Sequence, residues 1–415
     1  MKFDELNKTA AKPWLVFASS ALGISALLAI LLVLSRVPGV QDYFGLQALF
    51  HTILVLHVNF SVLVWLLSFV GFIWVLHKPI QLNKSNRLIL LTSFVGSLLM
   101  LISPFISDDI PVMSNYIPVI DSPVFFSGLL LFALGISWLA LQVLWSDSGD
   151  LIRLSALVWI VCLIVLVYHG VKLNSLDSTM HFEALFWGAG HVLQFVYVLI
   201  LWLVWQWPNV SVSKLGKISI VAVLLCALGF MLFFEPGESD SRLAFTSLMK
   251  WGMLIIILPM LWHWFHQLKL VVDASVSASA FLMCFGLAIG LIINDDTVIV
   301  TAHYHATNAA ITIAFMGFSY RFLNKMGQQI VSAKWMTTQV FLYTFGMILY
   351  VLGMASSGWL GVPRKTAVTV DDRLEILSMG LMGVGGAISI VATLIFIAII
   401  AYSFIGQQKL SREFK

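Results

Sequence analysis

Charge is what this sequence has least of. Lys, Arg, Asp and Glu make up 10% of its 415 residues, where a soluble globular domain carries about a quarter. With 60% hydrophobic residues and a mean hydropathy of +0.97, a soluble fold is excluded and a polytopic membrane protein is implied. The net charge of +3 is too small to build the basic field that a nucleic-acid partner requires. Cysteine is also scarce. Cys162, Cys226 and Cys284 each sit inside an apolar run with no Cys-x-x-Cys spacing, which leaves no disulfide framework and no thiolate metal site. They read as small hydrophobes. There is no His-His dipeptide and no low-complexity segment. No internal repeat and no long polar stretch that could form a soluble domain appear either. The first dozen residues are polar and lack a small-residue cleavage site, so the first helix is expected to remain uncleaved.

What is present is a series of apolar runs. About 18 or more predominantly apolar residues suffice to cross a bilayer, and twelve runs qualify. They lie at roughly 14–36, 50–77, 87–104, 123–146, 151–171, 182–206, 216–234, 247–267, 277–294, 298–320, 337–358 and 377–404. The expectation is an all-α, twelve-transmembrane-helix bundle forming one integral domain over residues 1–415, with polar tails at 1–13 and 405–415. Lys and Arg orient it. With the N-terminus cytoplasmic, sixteen of the 23 basic residues fall at cytoplasmic ends and seven at outer ends, so both tails are expected inside. Arg364, Lys365 and Arg373 run against this rule, and a role other than topology is expected to hold them there.

Ionisable residues inside a membrane span are costly and mark function. The tenth run, VIVTAHYHATNAAITIAFMGF, carries two, His303 and His305. Residues two apart on an α-helix point about 200° apart, so each imidazole should face a different neighbour. His57 in the second run and His191 in the sixth lie at a similar depth from the same side, roughly 8–15 Å in at 1.5 Å per residue. Four histidines from three spans at one level suggest a layer of cofactors. Neutral imidazole ligates haem iron, copper and zinc. The economical arrangement is two haems side by side, one clamped by His57 and His305, the other held by His303 with its far face open. Haem propionates need cations at the membrane rim, and Arg364 and Lys365 are the candidates.

These segments resemble subunit I of the haem–copper oxidase superfamily nearly end to end. TAHYHATNAAITIAFMGF is similar to that family's Ala-His-Phe-His stretch. The resemblance implies His303 as high-spin haem ligand and His305 as low-spin haem ligand. LVLHVNF resembles the segment carrying the other low-spin ligand, which falls on His57. LFWGAGHV resembles the segment whose histidine binds the copper called CuB, implying that role for His191, and GVPRKT resembles the propionate-binding Gly-Met-Pro-Arg-Arg loop, matching Arg364 and Lys365. The catalytic pair implied is His303 and His191.

The chain departs from the family where copper is held. The two adjacent copper histidines fall on about Met231 and Leu232, and Leu193 and Phe195 stand where many relatives carry a proton-conducting Glu and a redox-active Tyr. Copper is therefore expected to be absent or bound atypically, with His169 and His181 as conceivable extra ligands. The expectation is a membrane dihaem protein carrying respiratory electrons to O2 or NO at the high-spin haem. As an enzyme it would be an oxidoreductase of the cytochrome c oxidase or nitric oxide reductase type. The alternative is a non-catalytic dihaem protein for electron transfer, gas binding or assembly. A twelve-span transporter lacks the repeat and midplane charge it would need. Expected partners are membrane lipid, other respiratory subunits and an electron donor (cytochrome c, a cupredoxin-type subunit or a quinol), in a bacterial plasma membrane.

Overall fold

A computed structural model describes residues 5–35, 45–78, 84–106, 110–173, 178–208, 210–267, 273–293, 297–327, 332–362 and 373–413. Backbone polar groups in lipid must be satisfied within their own segment, and the apolar runs accordingly form helices. In chain order these are α1 (Glu5–Leu34), α2 (Leu46–Val58), α3 (Trp65–His77), α4 (Lys84–Ile102), α5 (Pro123–Leu144), α6 (Asp150–Lys172), α7 (Ser178–Gln206), α8 (Lys214–Phe233), α9 (Ser239–Gln267), α10 (Ala274–Gly290), α11 (Val298–Lys325), α12 (Ala333–Trp359) and α13 (Arg373–Glu413). A π-helical stretch, Asn59–Val64, joins α2 to α3. Side-chain caps start several of these helices. Ser122 accepts from the Val124 N–H (3.2 Å), Ser213 from Gly216 (3.0 Å), Asp273 from Ser275 (2.8 Å) and Thr297 from Ile299 (3.4 Å). Each offers an orphan first-turn donor its partner.

Among the described residues, ten helices are long and apolar enough to cross a membrane. The chain is an all-helical integral membrane protein. The two predicted spans outside that set are α10, with 17 residues, and α11. Although α11 is 28 residues long, its first turns hold Thr301, His303, Tyr304, His305 and Asn308, and these depress its hydropathy. Two predicted tails are also largely helical: α1 begins at Glu5 and α13 runs to Glu413. Good helix formers such as Leu, Lys, Gln and Glu carry a helix past the apolar run that nucleates it.

The helices form two compact units, residues 1–21 with 51–266 and residues 22–50 with 267–415. In the first, every residue of α3 is buried. Trp14 lies on Gly71, where an added Cβ would come within 2.7 Å of the indole, and Trp74 Nε1 donates to Ser155 Oγ at 2.9 Å. Helices α4 and α5 meet backbone to backbone at Gly96 and Gly128, where a Cβ would approach Phe132 N to 2.3 Å and Met100 N to 2.7 Å. Small residues drive such contacts in lipid, where burial of apolar surface gives no preference for protein over acyl chain. Between α4 and α5 the chain forms a hairpin, β1 (Pro111–Val112) paired antiparallel with β2 (Val119–Ile120).

In the second unit, α12 and α13 pack most extensively, followed by α10 with α11 and α11 with α12. Gly346, Gly353 and Gly385 let α12 and α13 touch; a Cβ on Gly385 would lie 2.3 Å from Tyr350 N. Helices α11 and α12 also share a buried polar contact. The Tyr320 hydroxyl donates to Gln339 Oε1 at 3.0 Å, and the Gln339 amide lies 3.2 Å from Met316 Sδ.

Candidate functional site

The HYH segment occupies the second and third turns of α11, and its two imidazoles diverge as the helical period requires. His303 faces α10. Its Nδ1–H donates to the Gly286 carbonyl at 2.7 Å, and the ring rests on Gly290, where an added Cβ would fall 2.7 Å from Nδ1. His305 faces α12, with its ring 5.1 Å from that of Tyr350. Its Nδ1–H donates to the Thr301 carbonyl, one turn back on its own helix, at 2.8 Å. A carbonyl can only accept, so both rings carry their proton on Nδ1 and their lone pair on Nε2. This is the usual tautomer of a metal-ligating histidine, whose second nitrogen is anchored by an oxygen. Both side chains are half-buried.

His57 lies in the last turn of α2, half-buried, two residues before the π-helical stretch. Such stretches frequently mark functional sites because they re-aim the helix. Here the displaced backbone has side-chain partners. Tyr197 of α7 donates to the Val62 carbonyl at 2.9 Å, and Asn59 donates to the Val55 carbonyl at 2.9 Å and to Pro118 of the hairpin at 2.7 Å. The turn that follows His57 is thus tied to the hairpin.

His191 is 1% exposed, in the middle of α7, and both its nitrogens are engaged. Nδ1–H donates to the Trp187 carbonyl at 2.6 Å, and Nε2 accepts from the Tyr116 hydroxyl at 2.7 Å. The phenol has one proton, and Nε2 is the acceptor that needs it, so the contact with Met249 Sδ at 3.8 Å is packing. Tyr116 comes from the hairpin turn, at a φ of 64°, and its ring sits 4.6 Å from the imidazole and edge-on to Trp187. Gly190 makes room for it, since a Cβ there would meet the phenol ring at 2.4 Å. Glu183 clamps the same turn by accepting from Asn115 N at 2.7 Å and from its side-chain amide. Arg242 lies over the Trp187 ring at 5.6 Å, and Trp187 Nε1 donates to the Arg242 carbonyl at 3.2 Å.

The other candidates for the copper pocket do not assemble. His169 is buried against Phe245 and over Gly188, and His181 packs against Phe182. Met231 is buried and Leu232 is 62% exposed. Phe195 fills the space beside Gly252, whose added Cβ would lie 2.9 Å from its ring. Among the described residues, no group of three or more His, Cys, Asp or Glu is placed to hold a metal ion. Arg364 and Lys365 lie outside the described residues. Sequence reasoning missed Tyr116, Asn59 and Glu183. Tyr116 sits in a polar loop with no motif around it, and only the two glycines of WGAGH hinted that something large packs there.

Comparison with known proteins agrees with this picture of a polytopic helical membrane protein. Residues 291–388, which hold His303, His305, Arg364 and Lys365, match the family described as Cytochrome C and Quinol oxidase polypeptide I. His57 and His191 fall outside the matched stretch. An uncharacterized protein of Rickettsia prowazekii (strain Madrid E) is 28% identical over 95% of each chain. An uncharacterized protein of Aquifex aeolicus (strain VF5) is 27% identical over 76% of this chain and 84% of its own. Over residues 291–388 the chain is thus similar to subunit I of the haem–copper oxidases, and both of these relatives are themselves uncharacterized.

Proposed function

We propose that this chain is a dihaem protein of the respiratory membrane, acting as one integral domain with both termini in the cytoplasm. His57 and His305 would be the axial ligands of a low-spin haem, and His303 the single protein ligand of a high-spin haem. Arg364 and Lys365 would neutralise the propionates. The observation that carries this is the pair of Nδ1–H donations from one helix, to Gly286 on one side and Thr301 on the other. They orient both rings and direct both Nε2 lone pairs away from the backbone, as the donor chemistry of haem iron requires. The haems would supply one-electron transfer and, at the open coordination position, binding of a diatomic gas. The protein's part is to fix ring orientation and to keep the layer dry between apolar helices.

The residues around His191 do not fit copper. Its Nε2 accepts a hydrogen bond from Tyr116, and neither Met231, Leu232, Leu193 nor Phe195 offers an imidazole or carboxylate. No step is therefore assigned to copper. This favours gas binding or electron transfer over full oxidase turnover, with O2 or NO as the ligand at the haem on His303. Electrons would enter from a separate donor, either a cytochrome c, a cupredoxin-type subunit or a quinol. Redox difference spectra of the purified protein test the proposal. Two haems, one six-coordinate and indifferent to CO and one that binds it, are expected, and a haem-free preparation from haem-replete cells would contradict it.

A further inference from the structure

Within the first unit, α1 and α4 enclose an open groove of about 460 Å³, within the ~300–1,000 Å³ span of small-molecule sites. Val16 of α1 and Leu91 of α4 flank it, the Phe17 and Phe94 rings meet edge to face at 5.7 Å beneath, and Ser20 and Arg87 also line it. Both walls are membrane-crossing helices, and Val16, Leu91 and Phe94 are exposed. No acidic residue lines the groove. Arg87 is exposed and has no hydrogen bond or ion pair among the described residues. Lys12 and Lys8 lie one and two turns before Val16, toward the same end of α1. A guanidinium that no described carboxylate meets, at the mouth of an apolar groove in a membrane-crossing pair of helices, calls for a ligand that is anionic at one end and hydrocarbon at the other. Basic pockets between membrane helices near the interface recognise anionic lipid headgroups in this way, and Arg forms bidentate bonds with phosphate.

We propose that the groove binds one anionic glycerophospholipid, with its phosphate on Arg87 and an acyl chain along Phe17 and Phe94. A zwitterionic lipid would fill the walls but would bring its own cation to Arg87. The test uses the full-length protein in detergent with dioleoyl phosphatidylglycerol or dioleoyl phosphatidylcholine, and counts retained lipids by native mass spectrometry. One phosphatidylglycerol should be retained at least about fivefold more strongly than phosphatidylcholine, the factor expected for one basic contact. Arg87→Gln should abolish the preference and Arg87→Lys should keep most of it. Leu91→Trp, which fills the groove without touching the charge, should also lose the retained lipid. Equal retention of the two lipids would overturn the proposal, as would a preference that survives Arg87→Gln. A preference that survives Leu91→Trp would overturn the groove as its seat.

Discussion

Replacing Tyr116 with Phe removes one hydroxyl and leaves the ring that fills the space over Gly190. In the wild-type protein that hydroxyl donates to His191 Nε2 at 2.7 Å, and His191 is 1% exposed. Its other nitrogen is already committed to the Trp187 carbonyl, so the ring cannot turn to find a new partner without losing the old one. An acceptor left buried and unsatisfied costs about 1–3 kcal/mol. The packing of the phenyl ring against Trp187 and the imidazole is retained. The expected result is an apparent melting temperature in detergent lower by on the order of 5 °C, with the haem spectra unchanged. Tyr116→Ala should cost more, because it also empties the space between Gly190, Trp187 and Met249. Copper analysis of the same preparations supplies the counter-test. If Tyr116→Phe melts with the wild type while stoichiometric copper is present and vanishes in His191→Ala, then His191 is a metal ligand and the hydrogen-bonded arrangement is refuted.

Three further substitutions probe separate links. Gly290→Ala places a methyl group 2.7 Å from His303 Nδ1; it should perturb or abolish the CO-reactive haem while leaving the six-coordinate signal, and an unaltered CO spectrum would contradict the placement of His303 against α10. Asn59→Leu removes the donor that joins the turn after His57 to Pro118; it should accelerate proteolysis of the hairpin between α4 and α5, and protection equal to wild type would show that the contact does not hold the hairpin. Gln339→Leu leaves the Tyr320 hydroxyl without its acceptor; polar contacts between membrane helices average about 0.6 kcal/mol, so a loss of only a degree or two in melting temperature is expected, and global unfolding would refute that ranking.

Much of this was legible in the sequence because lipid imposes a simple rule. Apolar runs must become helices, and the described helices fall where the runs do. The divergence of His303 and His305 followed from the helical period alone, and α10 and α12 are the neighbours they face. The same histidines help to explain why α11, read as a span from its apolar run, falls outside the ten helices apolar enough to cross a membrane. What could not be read was contact at a distance along the chain. Nothing near Tyr116 marks it as the partner of a residue 75 positions later, and nothing near Asn59 points to Pro118. The π-helical turn after His57 was equally hidden, since NFSVLV carries no Pro or Gly to announce a change of helical register. The resemblance assigned His191 a copper on family grounds. The structure places beside it a phenol from an unrelated loop, a contact that neither periodicity nor motif spacing can predict.

The central claim is that one helix serves two haems through histidines on opposite faces. Reduced and CO-difference spectra of His303→Ala and His305→Ala, taken on membranes with matched protein content, test it most directly. The account predicts that His303→Ala loses the CO-reactive species and keeps the six-coordinate one, and that His305→Ala, like His57→Ala, does the reverse. Loss of both species in either variant, or CO binding that survives His303→Ala, would contradict it.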